Sequence, residues 1–121
     1  EEGWGDGPLT IKVTGKQYLW EFEYPNGAVT YDELVVPINT IVILEVTSDD
    51  VWHNFAVPSL RLKIDAIPNR TNVIWFDAPD VGEYPISCME LCGSNHADMV
   101  GTLILVEQVD YTNGLDAEYE L

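Results

Sequence analysis

The sequence has few basic residues and no long apolar run. Only five Lys and Arg residues oppose 21 Asp and Glu residues in a chain of 121, so the formal net charge is −16 at pH 7. Such a surface repels phosphate groups, which makes nucleic acid and anionic lipid poor partners. No stretch of about 18 apolar residues is present, the length that a membrane-spanning helix needs. The acidic, glycine-rich start is unlike a signal peptide, so we expect a mature or excised soluble piece.

The acidity has two interpretations. The negative surface steers a cationic protein partner towards the chain, or it keeps the protein hydrated in concentrated salt. The acidic residues are spread from Glu1 to Glu120 rather than gathered in one patch. This distribution favours an adaptation to salt.

The hydrophobic pattern is that of β-strands. Strands are predicted at residues 9–14, 17–24, 40–47, 73–76, 82–87 and 101–106, with turn residues between them at intervals of about ten residues. The segment 40–47 carries β-branched residues on both faces and is therefore predicted to be a central strand. No long amphipathic helix and no internal repeat is visible. The pattern predicts one all-β domain, a sandwich or barrel, with a core of about residues 9–107 and an acidic peripheral tail at 108–121.

The metal-binding residue types are concentrated in one short segment. Residues 88–99 contain both cysteines, both methionines and one of the two histidines, while the second histidine, His53, lies far upstream. Thiolate, imidazole and thioether ligands together select copper over hard cations. Two thiolates are one more than a mononuclear blue-copper site uses, which suggests a second metal ion. His53 follows the strand predicted to end near Ser48, so both segments are expected at one pole of the sandwich.

The ligand count fits a pair of copper ions. If Cys88 and Cys92 both bridge the two ions, each copper needs one imidazole, and His53 and His96 supply one each. The Met99 thioether and a main-chain carbonyl of the loop then serve as weak axial ligands. Because neither copper has an open position for a substrate, the site suits electron transfer. A stiff β-scaffold keeps the reorganisation small when an electron arrives.

The same residues also allow other interpretations. Cys88 and Cys92 can form a disulfide in an oxidising compartment, and a zinc site also uses two Cys and two His but leaves Met99 unexplained. His53 taken alone is equally a surface or core histidine. The aromatic residues after Tyr18 are by default core and edge residues of a sandwich: Trp20, Phe22 and Tyr24.

The segment 88–99 resembles the dinuclear copper A (CuA) loop of cytochrome c oxidase subunit II, whose pattern is Cys-x-Glu-x-Cys-Gly-x-x-His-x-x-Met. Residues 15–24, 50–60, 62–70 and 82–84 resemble four further stretches of that family, in order and at plausible spacing. The resemblance implies a cupredoxin-like Greek-key β-sandwich. It also implies the electron-acceptor domain of a haem-copper terminal oxidase, on the extracytoplasmic face of a prokaryotic membrane. The family's two N-terminal transmembrane helices are absent, so the chain is similar to the excised domain.

The resemblance also assigns the copper ligands. One copper takes His53 and Met99, and the other takes His96 and the main-chain oxygen of Glu90. The two cysteines bridge both ions. The Glu90 carboxylate matches a ligand of a magnesium ion at the border with the catalytic subunit I in the intact enzyme, although in this fragment it is expected to be solvated.

Further positions match residues with roles outside the copper site. Asp65 and Arg70 match residues that face the border with subunit I, and a plain surface ion pair is the alternative. Tyr18 stands where the family has a tryptophan that is its port for the incoming electron, and Trp20 matches a second tryptophan. The donor implied is cytochrome c or a small blue-copper protein.

Two departures from the family pattern concern turns. Arg61 and Asn69 replace common glycines. Asn is tolerated at positive φ, so the turn at Asn69 is expected to survive. These changes leave the copper assignment intact.

Two other functions are compatible with parts of this pattern. The CuA domain of nitrous oxide reductase typically has aromatic residues between the cysteines, so the run Gly93-Ser94-Asn95 argues against it. A metal-free structural module of the quinol-oxidase type lacks the ligands, so the complete set here argues against that function too. The sequence therefore predicts the oxidase domain.

Overall fold

The chain folds into two five-stranded β-sheets packed face to face. The computed structural model describes residues 8–17, 19–88 and 100–108, with Cys88 through its backbone alone. In chain order the strands are β1 Leu9–Lys16, β2 Leu19–Glu23, β3 Val29–Tyr31, β4 Glu33–Pro37, β5 Val42–Ser48, β6 His53–Val57, β7 Leu62–Ala66, β8 Asn72–Phe76, β9 Gly82–Cys88 and β10 Gly101–Val106. A single 3₁₀ turn, Pro58–Leu60, joins β6 to β7.

The strand order shows that the chain crosses repeatedly between the two sheets. The first sheet has the order β3-β2-β1-β5-β8 and the second the order β4-β10-β9-β6-β7. The pairs β1–β5 and β4–β10 are parallel, and the other neighbouring strands are antiparallel. The predicted all-β sandwich is confirmed.

Alternating apolar residues of both sheets form the core. On β1 the buried positions are Leu9, Ile11 and Val13, and the intervening residues face outwards. Successive side chains of a strand point to opposite faces, so this alternation buries one face of the sheet. Phe55 and Leu103 of the second sheet are fully buried in the same cluster. The core therefore fills the space between the sheets, as in other sandwiches.

Six strands were predicted from the sequence and four were missed. The predicted strands correspond to β1, β2, β5, β8, β9 and β10, and β5 lies between β1 and β8, as expected of a central strand. The segment predicted at 17–24 becomes a strand at Leu19, after a turn at Gln17. The missed strands are β3, β4, β6 and β7. All five residues of β6 are buried, so it lacks the alternation that reveals a half-exposed strand.

Both positions that replace common glycines have a left-handed backbone. Asn69 has φ 63° and Arg61 has φ 59°, so the expected turn at Asn69 is confirmed. Arg61 ends the 3₁₀ turn, and its N–H donates to the carbonyl oxygen of Pro58 at 3.0 Å. A left-handed conformation is costly for a residue with a Cβ atom, with Asn and Asp as the tolerated exceptions. Arg61 is therefore a strained position.

Two expectations concern membrane-spanning helices and the acidic tail. Within residues 8–17, 19–88 and 100–108, no helix is long and apolar enough to cross a membrane. Gln108, the first residue of the predicted tail, donates from Nε2 to the carbonyl oxygens of Ile38 and Asn39 and to Oγ1 of Thr40, at 3.1–3.2 Å. The tail beyond Gln108 lies outside the described residues, and the domain limits remain a prediction.

Candidate metal centre

His53 lies at the end of the second sheet where β9, the strand before the cysteine segment, also ends. It is the first residue of β6 and follows β5, which ends at Ser48 as predicted. In the pairing of β6 with β9, Phe55 stands opposite Cys88. Because the strands are antiparallel, the start of β6 and the end of β9 meet at the same edge. The backbone therefore brings His53 close to the end of β9, which residues 89–99 follow in the sequence.

The two nitrogens of the His53 ring have different surroundings. The side chain is fully buried. Nε2 lies 2.8 Å from Oδ1 of Asp50, whereas Nδ1 is buried with no hydrogen-bond partner among the described residues. A buried polar nitrogen without a partner is costly, unless it serves a function such as metal binding.

Asp50 is the acceptor for several donors in this part of the structure. Its Oδ2 accepts the backbone N–H of Gln17 at 2.7 Å, and its Oδ1 accepts the N–H of Val51 at 2.6 Å in addition to His53 Nε2. Partial burial by itself raises the pKa of the Asp50 carboxyl. The hydrogen bonds from Gln17, His53 and Val51 outweigh that effect and lower the pKa below its ordinary value.

A glycine and a tryptophan enclose the His53 ring. A Cβ atom added at Gly15 would lie 2.8 Å from His53 Cδ2 and 3.0 Å from Trp20 Cζ3. The rings of Trp20 and His53 meet edge to face, with centroids 5.9 Å apart, and Trp20 also packs edge to face on Phe55 at 5.1 Å. The imidazole is therefore held from several sides.

Sequence reasoning identified His53 but missed Asp50 and Gly15 as parts of its environment. Both occur within segments that carried the family resemblance, yet nothing in their spacing indicates that they would contact the histidine. The Gly15 contact joins residues of two distant strands, β1 and β6, whereas Asp50 lies only three residues before His53.

The structure describes only some of the other predicted site residues. Trp20 is fully buried, so its side chain is not part of a docking surface, although a role in carrying the electron inwards stays a prediction. Tyr18, Glu90, Cys92, His96 and Met99 lie outside the described residues. Among the described residues no three His, Cys, Asp or Glu side chains gather as a metal cluster. That statement does not apply to residues 89–99 of the cysteine segment, which lie outside the described residues.

Asp65 and Arg70 do not form the ion pair that was the alternative. Asp65 is in β7, opposite Asn54, whose Nδ2 donates to Asp65 Oδ1 at 3.0 Å. Nδ2 of Asn72 donates to the Asp65 carbonyl oxygen at 2.9 Å. Arg70 is exposed and its backbone N–H donates to Ile67. Within the part of the chain that the structure describes, no salt bridge joins Asp65 to Arg70.

The described residues fit a soft or borderline metal at this edge. His53 has one nitrogen bonded to a carboxylate and the other free of any described partner, which is the usual arrangement of a metal-ligating histidine. The segment that follows β9 supplies thiolate, imidazole and thioether groups in sequence, a donor set suited to copper.

Comparison with known proteins gives the family. Residues 28–109 match the family model described as the periplasmic domain of cytochrome c oxidase subunit II. The chain is 41% identical over 120 residues to cytochrome c oxidase subunit 2 of Alkalihalophilus pseudofirmus, and the match covers 96% of this chain but 35% of that protein. The chain therefore spans about a third of that relative. A match to a periplasmic domain indicates an extracytoplasmic location in a membrane complex.

Solved structures agree with this assignment. The periplasmic domain of cytochrome oxidase subunit II of Bradyrhizobium japonicum has a TM-score of 0.84, is 36% identical and covers 90% of this chain and 91% of that one. A second match is a mixed disulfide intermediate between a thioredoxin-like protein and subunit II of cytochrome c oxidase. Its TM-score is 0.83, it is 37% identical, and it covers 93% of this chain and 92% of that one. The blue-copper protein auracyanin A of Chloroflexus aurantiacus shares the fold alone. Its TM-score is 0.53, it is 18% identical, and it covers 83% of this chain and 100% of that one. The fold is thus cupredoxin-like, and the chain belongs to the family of cytochrome c oxidase subunit II periplasmic domains.

Proposed function

We propose that this chain is the electron-accepting domain of a haem-copper terminal oxidase and that it binds two copper ions. Family membership supports an electron-transfer role in an oxidase. The nitrous oxide reductase alternative is not favoured, because the relatives compared are oxidase subunits. Since the chain spans only part of its curated relative, the activity of the assembled oxidase is itself part of the proposal.

One observation carries the metal assignment. The Nδ1 atom of His53 is buried at the edge where β9 ends, and no described residue hydrogen-bonds to it. Leaving a polar nitrogen so placed costs on the order of 1–3 kcal/mol unless a ligand satisfies it. A copper ion bound by residues of the segment 88–99 would do so.

The proposed ligands come from both segments. Cys88 and Cys92 would hold both ions. His53 and Met99 would hold one ion, and His96 and the main-chain oxygen of Glu90 would hold the other. A bound copper pair supplies a one-electron redox couple shared by both ions. The protein's own contribution is to hold the ligands stiffly, because the His53 ring is packed against Trp20 and Gly15.

The proposal extends to the neighbours of the domain in the assembled enzyme. The electron donor is a cytochrome c or a small blue-copper protein, received near Tyr18, and the electron passes on to haem in subunit I. Asp65 and Arg70 face subunit I. The Glu90 carboxylate binds magnesium there, since a carboxylate is a hard ligand.

The experiment is metal analysis with optical and EPR spectroscopy of the copper-loaded chain. We expect two coppers per chain, a purple colour and a seven-line hyperfine pattern. Cys88→Ser or Cys92→Ser should abolish the paired site. Met99→Leu should retain two coppers with a shifted potential, because an axial thioether is a weak ligand. One copper per fully loaded chain, or a blue four-line species, would contradict the proposal.

Glu90 provides a matched control because its proposed copper contact is through the main chain. Glu90→Gln should leave the purple spectrum of the isolated domain nearly unchanged. In an assembled oxidase the same change should weaken magnesium or manganese binding at the border with subunit I. Loss of the copper spectrum in the isolated variant would show that the two roles are wrongly assigned.

The redox state of the cysteines is a second element of the proposal. A related subunit II forms a mixed disulfide with a thioredoxin-like protein, and this chain has only two cysteines. We infer that Cys88 and Cys92 pair when oxidised and must be reduced by a dithiol, which itself becomes a disulfide, before copper binds. The air-oxidised chain should take up copper only after treatment with dithiothreitol. Equal uptake without a reductant would refute this step.

A further inference from the structure

One carboxylate joins the histidine to the turn that follows β1. Oδ1 of Asp50 lies 2.8 Å from His53 Nε2, and Oδ2 of the same side chain accepts the backbone N–H of Gln17 at 2.7 Å. The residue after Gln17 is Tyr18, the predicted port for the incoming electron. Asp50 therefore contacts His53 and the residue that precedes Tyr18 in the sequence.

The chemistry of the carboxylate determines which nitrogen of the ring carries the proton. An ionised carboxylate accepts hydrogen bonds and donates none, so in a neutral ring His53 Nε2 must be the protonated nitrogen. The lone pair of the ring then lies on Nδ1. That is the atom found buried and without a partner among the described residues. The hydrogen bond to Asp50 thus leaves the metal-facing nitrogen ready to bind.

The surroundings prevent the ring from choosing another orientation. His53 is fully buried, its Cδ2 edge faces Gly15, and Trp20 lies edge-on against it. A ring flip would exchange Nδ1 with Cδ2 and Nε2 with Cε1. Nε2 would then lose its hydrogen bond to Asp50, and Nδ1 would take the place of Cδ2 against Gly15. Packing and hydrogen bonding therefore favour the same orientation.

We propose that Asp50 is a positioning residue that fixes the Nε2–H tautomer of His53 for metal binding through Nδ1 and ties the turn at Gln17 to the same carboxylate. The inference deepens the proposed function, on which its metal-binding part rests. Removal of such outer partners typically weakens metal affinity about 10–100-fold.

An amide at position 50 cannot satisfy both partners. In Asp50→Asn, the side-chain oxygen can accept from only one of the two partners. If it accepts the Gln17 N–H, the amide NH₂ group faces His53 and favours the tautomer with the proton on Nδ1. An oxygen turned to His53 leaves the NH₂ facing the Gln17 N–H, which releases the turn. The variant must therefore lose either the tautomer or the protection of the Gln17 amide.

Asp49→Asn is the matched control, because it removes the same charge one residue earlier. The Asp49 side chain is 61% exposed, and its only ion pair among the described residues is with Lys16 at 3.5 Å. It makes no described contact with His53. Any effect of net charge alone should appear equally in both variants.

The test begins on the copper-free chain, with ¹⁵N NMR of the histidine rings and hydrogen exchange of the Gln17 amide. Signals are assigned with His96→Gln. In the unmodified protein Nε2 should carry the proton and Nδ1 should not; the reverse tautomer overturns the inference, even if Asp50→Asn fails to fold. In Asp50→Asn at least one of the two NMR properties should change, and neither should change in Asp49→Asn.

Copper(I) affinity, measured by competition with a chromophoric chelator, completes the test. A 10–100-fold loss is expected for Asp50→Asn relative to Asp49→Asn. Equal affinities with an unchanged tautomer and a protected Gln17 amide would refute the positioning role. A copper count other than two per chain would refute the proposed function and leave the tautomer result standing.

Discussion

Gly15 gives the most direct test of how His53 is held, because a single added methyl group reaches the ring. In Gly15→Ala the new Cβ would lie 2.8 Å from His53 Cδ2, 3.2 Å from His53 Cγ and 3.0 Å from Trp20 Cζ3. Real Cβ atoms essentially never approach carbon so closely. One of the two rings must therefore move.

Neither ring has free space into which it can move. Both are fully buried, His53 is bonded to Asp50, and Trp20 is packed edge-on against Phe55. Overpacking of this kind costs about 1–3 kcal/mol. Replacing a strand glycine by alanine by itself stabilises by roughly 0.5–1 kcal/mol, since the unfolded chain loses freedom. The net expectation is a destabilisation of about 0–2.5 kcal/mol, the overpacking cost less the gain from the unfolded chain.

The assay is urea unfolding of the copper-free chain at 25 °C, with Gly82→Ala as the control. Gly82 also lies in a strand, but its added Cβ would meet the Tyr84 hydroxyl at 3.3 Å, at the far end of a side chain that can shift. Gly82→Ala should be neutral or slightly stabilising. If Gly15→Ala proves as stable as Gly82→Ala, the close packing around His53 is wrong.

A double-mutant cycle separates the two contacts of the new methyl group. In a His53→Ala background the contacts at 2.8 and 3.2 Å disappear and the Trp20 contact at 3.0 Å remains. The cost of Gly15→Ala should therefore fall in that background, with a coupling of about 0.5–3 kcal/mol. An unchanged cost would show that Trp20, and not His53, resists the methyl group.

Three further perturbations follow from the structure and composition. Arg61→Gly should stabilise the domain by about 0.5–1 kcal/mol in urea unfolding, because the left-handed backbone at φ 59° no longer carries a Cβ, whereas Arg61→Ala should show no gain. The pKa of Asp50 is lowered in the folded protein, so its contribution to stability is complete above the unfolded pKa and is lost as the pH falls through the folded one. The urea midpoint of the copper-free chain should drop below about pH 5, and less steeply in Asp50→Asn; identical slopes would contradict this. If the charge of −16 is an adaptation to salt, added KCl from about 0.1 to 3 M should raise the melting temperature, since the Debye length falls from about 10 Å at 0.1 M to about 3 Å at 1 M. A melting temperature that does not move would favour the steering interpretation.

The strands that sequence reasoning found are those with one face exposed or with long β-branched runs. β1 alternates buried and outward residues along its length, and the pattern of residues 9–14 is visible in the sequence. β6 was missed because every residue is buried, and β3 because it has only three residues. Neither carries a periodic signal long enough to read.

Some features of the candidate site can likewise be predicted from the local sequence, and others cannot. The donor types in residues 88–99 identify a copper segment from composition and spacing alone. The partner of His53 Nε2 was not predicted, because the sequence does not show which of the 21 acidic residues contacts the ring. The role of Gly15 was equally hidden, because a glycine in a strand has many possible reasons. The Gly15 contact depends on how distant segments pair, whereas Asp50 lies only three residues before His53.

The register between β1 and β5 explains how these distant residues meet. The two strands are parallel, with Gly15 opposite Ser48, so both end at the same edge of their sheet. The Asp49 N–H then donates to the Gly15 carbonyl oxygen at 3.0 Å, which directs the chain across the end of β1. Asp50 follows at once and meets the Gln17 N–H.

The short connection from Ser48 to His53 completes this arrangement. The Asp50 N–H donates to Ser48 Oγ at 3.1 Å, and Ser48 Oγ donates to the Val51 carbonyl oxygen, which closes a tight turn. His53 therefore enters β6 with its ring over Gly15 and its Nε2 on Asp50. A one-residue slip of β1 against β5 would exchange the faces of the strand and remove glycine from beneath the ring. The orientation of the proposed copper ligand is thus a consequence of the strand register.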